Sequence, residues 1–389
     1  MRVLDVTENL AGPYCAMVLA DLGAEVIKVE RAGEGDHVRH LGPPFVNGES
    51  AAFLALHRNK QSITLNLKHP RGRDLFLELV RHADVVVENF RPGALDRLGI
   101  GYEAAREVNR KIVYGSISGF GQTGPYRERG GYDTIAQAMS GIMSATGHPD
   151  SPPAKCGVPI GDIGTGIFTA LGLVSAYVYA QRTGRGQRLD ASLLECAIAF
   201  SIWENSWVLS GGDVPGPLGS VHRRNAPHQA FRTADGFVAI CADQPHFFQR
   251  LCALIGRPEL LDDSRYRDNA ARVANKEALA ADIESVIGTQ PTQYWVDELV
   301  KAEIPGGPVY RYDQVFDDPQ VAHREMAVEV DHPVAGRGRV TGSPLKFSET
   351  PARVRSAAPT LGQHNHDVFR DLLGYSESEL ARWRDAGVI

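Results

Sequence analysis

The first 120 residues alternate between two hydrophobic periods. Apolar, largely β-branched residues cluster at 2–6 and again at 25–29, and between them 13–23 carries apolar side chains at the three-and-four spacing of one helix face. The pattern continues with strands predicted at 62–67, 84–88 and 112–118 and helices at 70–83 and 102–109. Strands separated by helices need crossover connections, so they lie side by side in a mainly parallel sheet with helices on both faces. A further helix is predicted at 134–146. A loop holding Pro152, Pro153 and Pro159 follows, and then one long apolar helix over 163–181, which Gly184 and Gly186 should stop.

The periodicity fades at 209–228, where Gly, Pro and charged residues mark a domain boundary or an ordered loop. Beyond it, AFRTADGFVAICA alternates around Asp235 and Gly236 as a hairpin, and 247–286 is mostly helical. The tail from 306 to 389 mixes short strands with a final helix near 367–373. The expected organisation is a large α/β domain over 1–208, a linker or active-site loop at 209–229 and a smaller α+β domain at 230–325. Pattern alone assigns 326–389 to neither domain.

Composition narrows the function classes. The 389 residues are 43% hydrophobic and 23% charged, ordinary values for packed domains, and a net charge of −6 gives no footprint for nucleic acid or an anionic membrane. The five cysteines show no metal or disulfide spacing, so no structural zinc or other metal is expected and the thiols read as reduced. The N-terminal residues lack a signal-peptide succession, and no apolar run is expected to reach the roughly 18 residues of a membrane span. A soluble, cytoplasmic protein without membrane partners follows from these readings.

Candidate chemistry is sparse. Glu30 ends the second strand where dinucleotide-binding domains place a ribose-binding acid, but the preceding turn, ENLAGPY, lacks GxGxxG, and no P-loop occurs. Asp162, in VPIGDIGTGIFTALG, opens the long apolar helix. It is either a helix cap or a nucleophile, for Gly161, Gly164 and Gly166 would leave room for a ligand and let backbone N–H groups face an oxyanion. ENFRPGALDRLG leaves the carboxyl end of a strand, where open α/β sheets bind ligands. Arg91 and Arg97, together with Arg31, Lys60 and Lys68, are candidate phosphate partners, and His222, Arg223 and Arg224 are candidates for a substrate carboxylate.

Taken together, LAGPYCAMVLADLGAEVIKVER, NKQSITLNLK, DVVVENFRPGALDRLG, GSISGFGQTGPY, GYDTIAQAMSGIMSATG, VPIGDIGTGIFTALG and TGRGQRLDASLLE resemble the family III CoA-transferases, the carnitine dehydratase and bile-acid-inducible group. AFRTADGF, YRYDQVFDDPQV and LGQH extend the likeness, and the second half most resembles enzymes that move CoA from succinyl-CoA to dicarboxylic acids such as glutarate. The resemblance implies an interlocked homodimer. Each chain would have a Rossmann-like parallel-sheet domain and a smaller domain, with the last segment returning to the large one. It implies coenzyme A and acyl-CoA as substrates, with no permanently bound cofactor. Asp162 would be the nucleophile, passing through acyl-aspartyl anhydride and aspartyl-CoA thioester intermediates. Coenzyme contacts would fall on Leu10, Ala11, Arg31, Leu65, Asn89, Phe90 and Arg97, with Tyr132 near the thioester. The α-methylacyl-CoA racemases share the aspartate but carry histidine where this chain has Tyr132, and a phenol of pKa about 10 is a poor second base. A non-catalytic CoA-binding protein, with Asp162 as a cap, is the remaining alternative. The glycine-rich loop of the formyl-CoA subgroup is missing, which argues against oxalate as acceptor.

Overall fold

The computed structural model describes residues 1–389. Six strands build one parallel sheet: β1 (Arg2–Asp5), β2 (Glu25–Glu30), β3 (Lys60–Thr64), β4 (Val85–Glu88), β5 (Val113–Ser118) and β6 (Arg188–Ser192), in spatial order β3-β2-β1-β4-β5-β6. This is the doubly wound order, in which the chain reverses its direction of winding between β1 and β4 and opens a crevice at their carboxyl ends. Val3, Val26, Val85, Val87 and Val113 on one face, and Leu4, Ile27, Val86 and Tyr114 on the other, are fully or almost fully buried. Such strands are covered on both sides, as parallel sheets require.

Helices α1 (Ala11–Asp21), α2 (Pro70–Arg81), α3 (Tyr102–Val108), α4 (Asp133–Met139), α5 (Ile160–Thr183) and α6 (Leu193–Phe200) supply the cover. In α2, Pro70 opens the helix, His69 accepts the Arg71 N–H, and Leu75, Phe76, Leu79 and Val80 turn one face inward. Helix α5 ends at Gly184, which adopts φ +73°, the left-handed conformation that glycine takes without strain. The predicted helix at 134–146 is broken at Gly141, where φ is +90°.

Sequence periodicity missed β6, a half-exposed edge strand whose Arg188 and Asp190 disguise it. It also underrated α5, which has the length and hydropathy to cross a membrane, contrary to the expectation that no such run exists. Its inward face packs against α1 and the sheet: Leu173 is fully buried, and Ala170, Ala176 and Ala180 nearly so. Gly164 and Gly166 serve that packing rather than leaving room for a ligand. A Cβ on Gly166 would come within 2.8 Å of the Ala11 carbonyl and 3.0 Å of the Tyr14 ring, and one on Gly164 would collide with Phe200. Gly166→Val is therefore expected to destabilise the protein by at least about 1–3 kcal/mol, read as a lower urea midpoint.

The chain divides into two compact units. The first comprises 1–143, 155–215 and 319–389, so the C-terminal segment belongs with the parallel sheet; the second comprises 144–154 and 216–318. In the second unit, β7 (His228–Arg232), β8 (Phe237–Cys241) and β9 (Gly306–Pro308) form an antiparallel sheet, with β7 and β8 joined as the hairpin expected at Asp235 and Gly236. Helices Pro245–Leu254, Lys276–Ile287 and Thr292–Lys301 bury Phe248, Leu251, Ile283, Trp295 and Leu299 with it. Stretch 144–154, expected in the large domain, sits in this unit, where the Gly219 N–H donates to the Gly147 carbonyl.

Candidate active site

The loops leaving β1 and β4 are tied together at the point where the winding reverses. The Asn89 carboxamide accepts the Glu8 N–H at 2.9 Å and donates to the Glu8 carbonyl at 2.7 Å. Behind them lies a fully buried charge network. Lys28 pairs with Asp36 at 2.8 Å and donates to the Thr7 carbonyl, while Lys60 pairs with Asp5 at 2.8 Å and donates to the Pro13 carbonyl. Lys60 is thus closed off from any phosphate. Glu30 is equally committed: Arg39 holds it through two bonds of 2.7 and 2.8 Å, and Ser62 donates to it. Burial alone would raise its pKa, but Arg39 and Lys28 keep it below the ordinary value, so it is not free for a ribose.

A cavity of about 200 Å³ opens in front of these loops, built entirely from the first unit. Leu10, Ala11, Asn89, Phe90, Tyr132 and Asp162 line it, six of the residues expected around the coenzyme and its thioester. A second cleft, of about 850 Å³, is lined by Arg31, Leu65, Lys68, Phe90 and Arg384 among others, so Phe90 is a wall common to both. Arg384 comes from a C-terminal helix, Glu377–Asp385, which the sequence patterns did not show. Arg31 is paired with Glu8 at 2.9 Å. Arg97 lines neither cleft; it lies over the Gly93 turn instead. His222, Arg223 and Arg224 lie in the second unit, where the Arg223 guanidinium donates to the Gly216 carbonyl and the His222 and His228 rings stack at 4.8 Å.

The structure separates the two roles offered to Asp162. The start of α5 is capped by another residue, Asp133, whose Oδ1 accepts the Gly161 N–H at 2.8 Å and the Asp162 N–H at 3.3 Å. Gln137 donates to the other Asp133 oxygen at 2.7 Å and is itself fixed by the Cys156 N–H. Asp162 stands in the first turn of α5, and its own carboxylate takes no part in the cap. The amides beside it are occupied, so they do not form the oxyanion site that the sequence invited. The first turn of α1, which has no side-chain cap and presents Leu10 and Ala11 to the cavity, offers open donors instead. Burial, aided by the charge of Asp133, pushes the Asp162 carboxyl up to about 7. Asp133 is the participant that sequence reasoning missed; GYD was read for its tyrosine, which is 73% exposed at the rim.

A doubly wound sheet with a ligand cleft at its reversal point, and one acid in that cleft poised between its charge states, defines an α/β enzyme of acid–base or nucleophilic chemistry. The chain belongs to CoA-transferase family III, whose model matches residues 1–365, and it is a CoA-transferase that acts on CoA thioesters. It is 40% identical over 389 residues to the succinyl-CoA:glutarate CoA-transferase of Mus musculus, covering all of this chain and 89% of that one. It is 42% identical over 349 residues to the acetyl-CoA:oxalate CoA-transferase of Acetobacter aceti, covering 90% and 88%. Among solved structures, a CAIB/BAIF family protein from Brucella suis superposes with a TM-score of 0.87 at 38% identity, over 96% of this chain and 98% of that one.

Proposed function

We propose that this transferase moves CoA from succinyl-CoA to a dicarboxylic acid, with Asp162 as the nucleophile. The observation that carries the nucleophile assignment is that Asp162, relieved of capping by Asp133, is the one acid lining the cavity at the reversal point. An Asp162 oxygen attacks the thioester carbonyl, and the C–S bond breaks to release CoA thiolate and leave an acyl-aspartyl anhydride. The thiolate then attacks the Asp162 carbonyl carbon, expelling the donor as its carboxylate and leaving an aspartyl-CoA thioester. The acceptor carboxylate reverses both steps: it displaces thiolate from Asp162, and the thiolate takes the acceptor's acyl carbon, restoring the free carboxylate. The open amides of α1 face the oxyanions, and Arg31, Lys68 and Arg384 serve the phosphate end of the coenzyme across the Phe90 wall. A racemase would need a second base, and the cavity lining holds no histidine, lysine or second carboxylate.

The mouse relative's name supports a diacid acceptor, and the Acetobacter relative's name makes oxalate the necessary competitor. Succinyl-CoA and acetyl-CoA incubated with glutarate, other diacids, oxalate and monocarboxylic acids, with products read by mass spectrometry, should give the fastest transfer from succinyl-CoA to a diacid of three or more carbons. Preference for oxalate or for a monoacid would refute this choice. Rapid deuterium wash-in at the α-carbon of a 2-methylacyl-CoA without acceptor would favour the racemase.

The working unit in this reading is a homodimer. On α5, Ile167, Leu171, Val174 and Val178 recur at helical spacing and are 47%, 63%, 38% and 42% exposed, and Ile198, Phe200 and Ile202 extend the apolar face. A second copy covering this face would remove it from water. Leu171→Asp is expected to turn a dimer into a monomer in sedimentation analysis; a monomeric parent protein would contradict the assignment.

A further inference from the structure

Two cations, Arg91 and Arg129, line the cavity with Asp162, and the transfer chemistry above gives neither a task. Arg91 also borders a second, smaller recess, which it shares with Glu88, Asp96 and Arg188. Arg129 is placed differently. Its guanidinium carbon stands 3.8 Å over the centre of the Tyr126 ring, which packs edge-on against Phe120. The loop that carries it is pinched at its base, where the backbones of Gly119 and Gly131 touch and leave no room for a Cβ on either. Its far side is anchored on β6: the Gln122 N–H donates to Asp190 at 2.9 Å, and Arg188 donates to the Gln122 carboxamide at 2.7 Å. Arg129 is exposed at the cavity, held at one face by the ring and carried on a cinched loop, and its guanidinium presents a fork of N–H donors suited to an anion.

The anion can be a coenzyme phosphate or a carboxylate of the acyl group. The phosphate end already has Arg31, Lys68 and Arg384 in the other cleft, beyond Phe90, whereas Arg129 shares its cavity with the reacting acid. Taking the diacid reading above as given, we propose that Arg129 binds the non-reacting carboxylate of the substrate. It would hold the free end of succinyl-CoA in the donor half and of the acceptor diacid in the return half, while the other end reacts at Asp162. The class of acid accepted then follows from this chain's own cavity: a diacid spans from Asp162 to Arg129, and a monoacid leaves the guanidinium without its partner.

The test is steady-state kinetics of the full-length enzyme with the diacid it turns over fastest, beside calorimetric titration with free CoA. Arg129→Gln should raise KM for the diacid and for succinyl-CoA about ten- to hundredfold, because a charge-assisted, forked contact is lost. The Kd of free CoA should be unchanged, and Arg129→Lys, which keeps the charge without the fork, should recover part of the loss. An unchanged diacid KM in Arg129→Gln would overturn the assignment. So would a free-CoA Kd weakened by the same factor, which would move Arg129 to the phosphates. A wild-type enzyme that turns over no diacid would remove the substrate reading itself, a failure visible before any variant is made.

Discussion

Asp162→Ala should lower the rate of CoA transfer by about four orders of magnitude or more, with CoA affinity within about threefold of the parent enzyme. The expected size follows from what the cavity lacks. Leu10, Ala11, Asn89, Phe90 and Tyr132 share the cavity with Asp162 and bring no acyl-accepting carboxylate, and Ser118, the one aliphatic hydroxyl in the lining, accepts the Gly121 N–H and has no histidine or lysine in the lining to serve as its base. Removing the one carboxylate in the lining removes the anhydride route, while the coenzyme contacts in the larger cleft are untouched. Asp162→Asn should be equally inactive despite its matching shape, because an amide oxygen cannot form the anhydride. Single-turnover transfer from succinyl-CoA and calorimetric binding of CoA separate the two quantities. Either variant keeping a tenth of the parent rate would mean that Asp162 is not the attacking group.

The second large effect is on pH. Attack requires the ionised carboxylate, and the Asp162 carboxyl is lifted from an ordinary 3.8 to about 7 by burial first and by Asp133 second. kcat/KM for the acyl-CoA should therefore fall about tenfold for each pH unit below 7, reaching about a hundredfold loss at pH 5. In Asp133→Asn the remaining oxygen can still accept the Gly161 N–H, but the like charge is gone, so the acid limb should move to lower pH. Burial remains, so the limb should stop short of an ordinary aspartate. The sign for stability is opposite to that for activity. A carboxyl whose folded pKa is raised stabilises the fold only while protonated, fully below about 3.8, and that contribution is lost as pH climbs through about 7. At about 1.4 kcal/mol per pH unit the loss is at most about 4 kcal/mol. Asp162→Asn should accordingly raise the melting temperature at pH 8 and barely change it at pH 4. A pH–rate profile flat from 5 to 8 in the parent enzyme would contradict the assignment of the titrating group.

The parallel sheet was largely legible because its strands are buried on both faces and so are written in Val, Ile and Leu, as at 84–88 and 112–118. β6 was not, because an edge strand with one wet face can carry Arg188 and Asp190. At the site, Asp162 was visible from its place before a long helix, but its role was not. The cap that frees it comes from Asp133, nearly thirty positions upstream, and side-chain capping is legible in sequence only when it is local. The glycines around Asp162 were visible and misread: close approach of α5 to α1 and Phe200 demands the same missing side chains as a ligand would. Lys60 was misread for a related reason. A lysine beside a ligand loop looks like a phosphate partner until folding brings Asp5 against it. Arg384 reaches the larger cleft from a helix that lies some 300 residues after Leu65 and Lys68, a proximity no local pattern encodes.

The most direct measurement is chemical trapping. The enzyme is incubated with succinyl-CoA and no acceptor, quenched with hydroxylamine or borohydride, digested, and read by peptide mass spectrometry. If Asp162 carries the acyl group and then the coenzyme, the peptide containing VPIGDIG should bear a hydroxamate or the reduced alcohol at Asp162, and the Asp162→Asn protein should bear neither. An unmodified Asp162 in a sample that is turning over substrate, or a label on any other residue, would contradict the central claim.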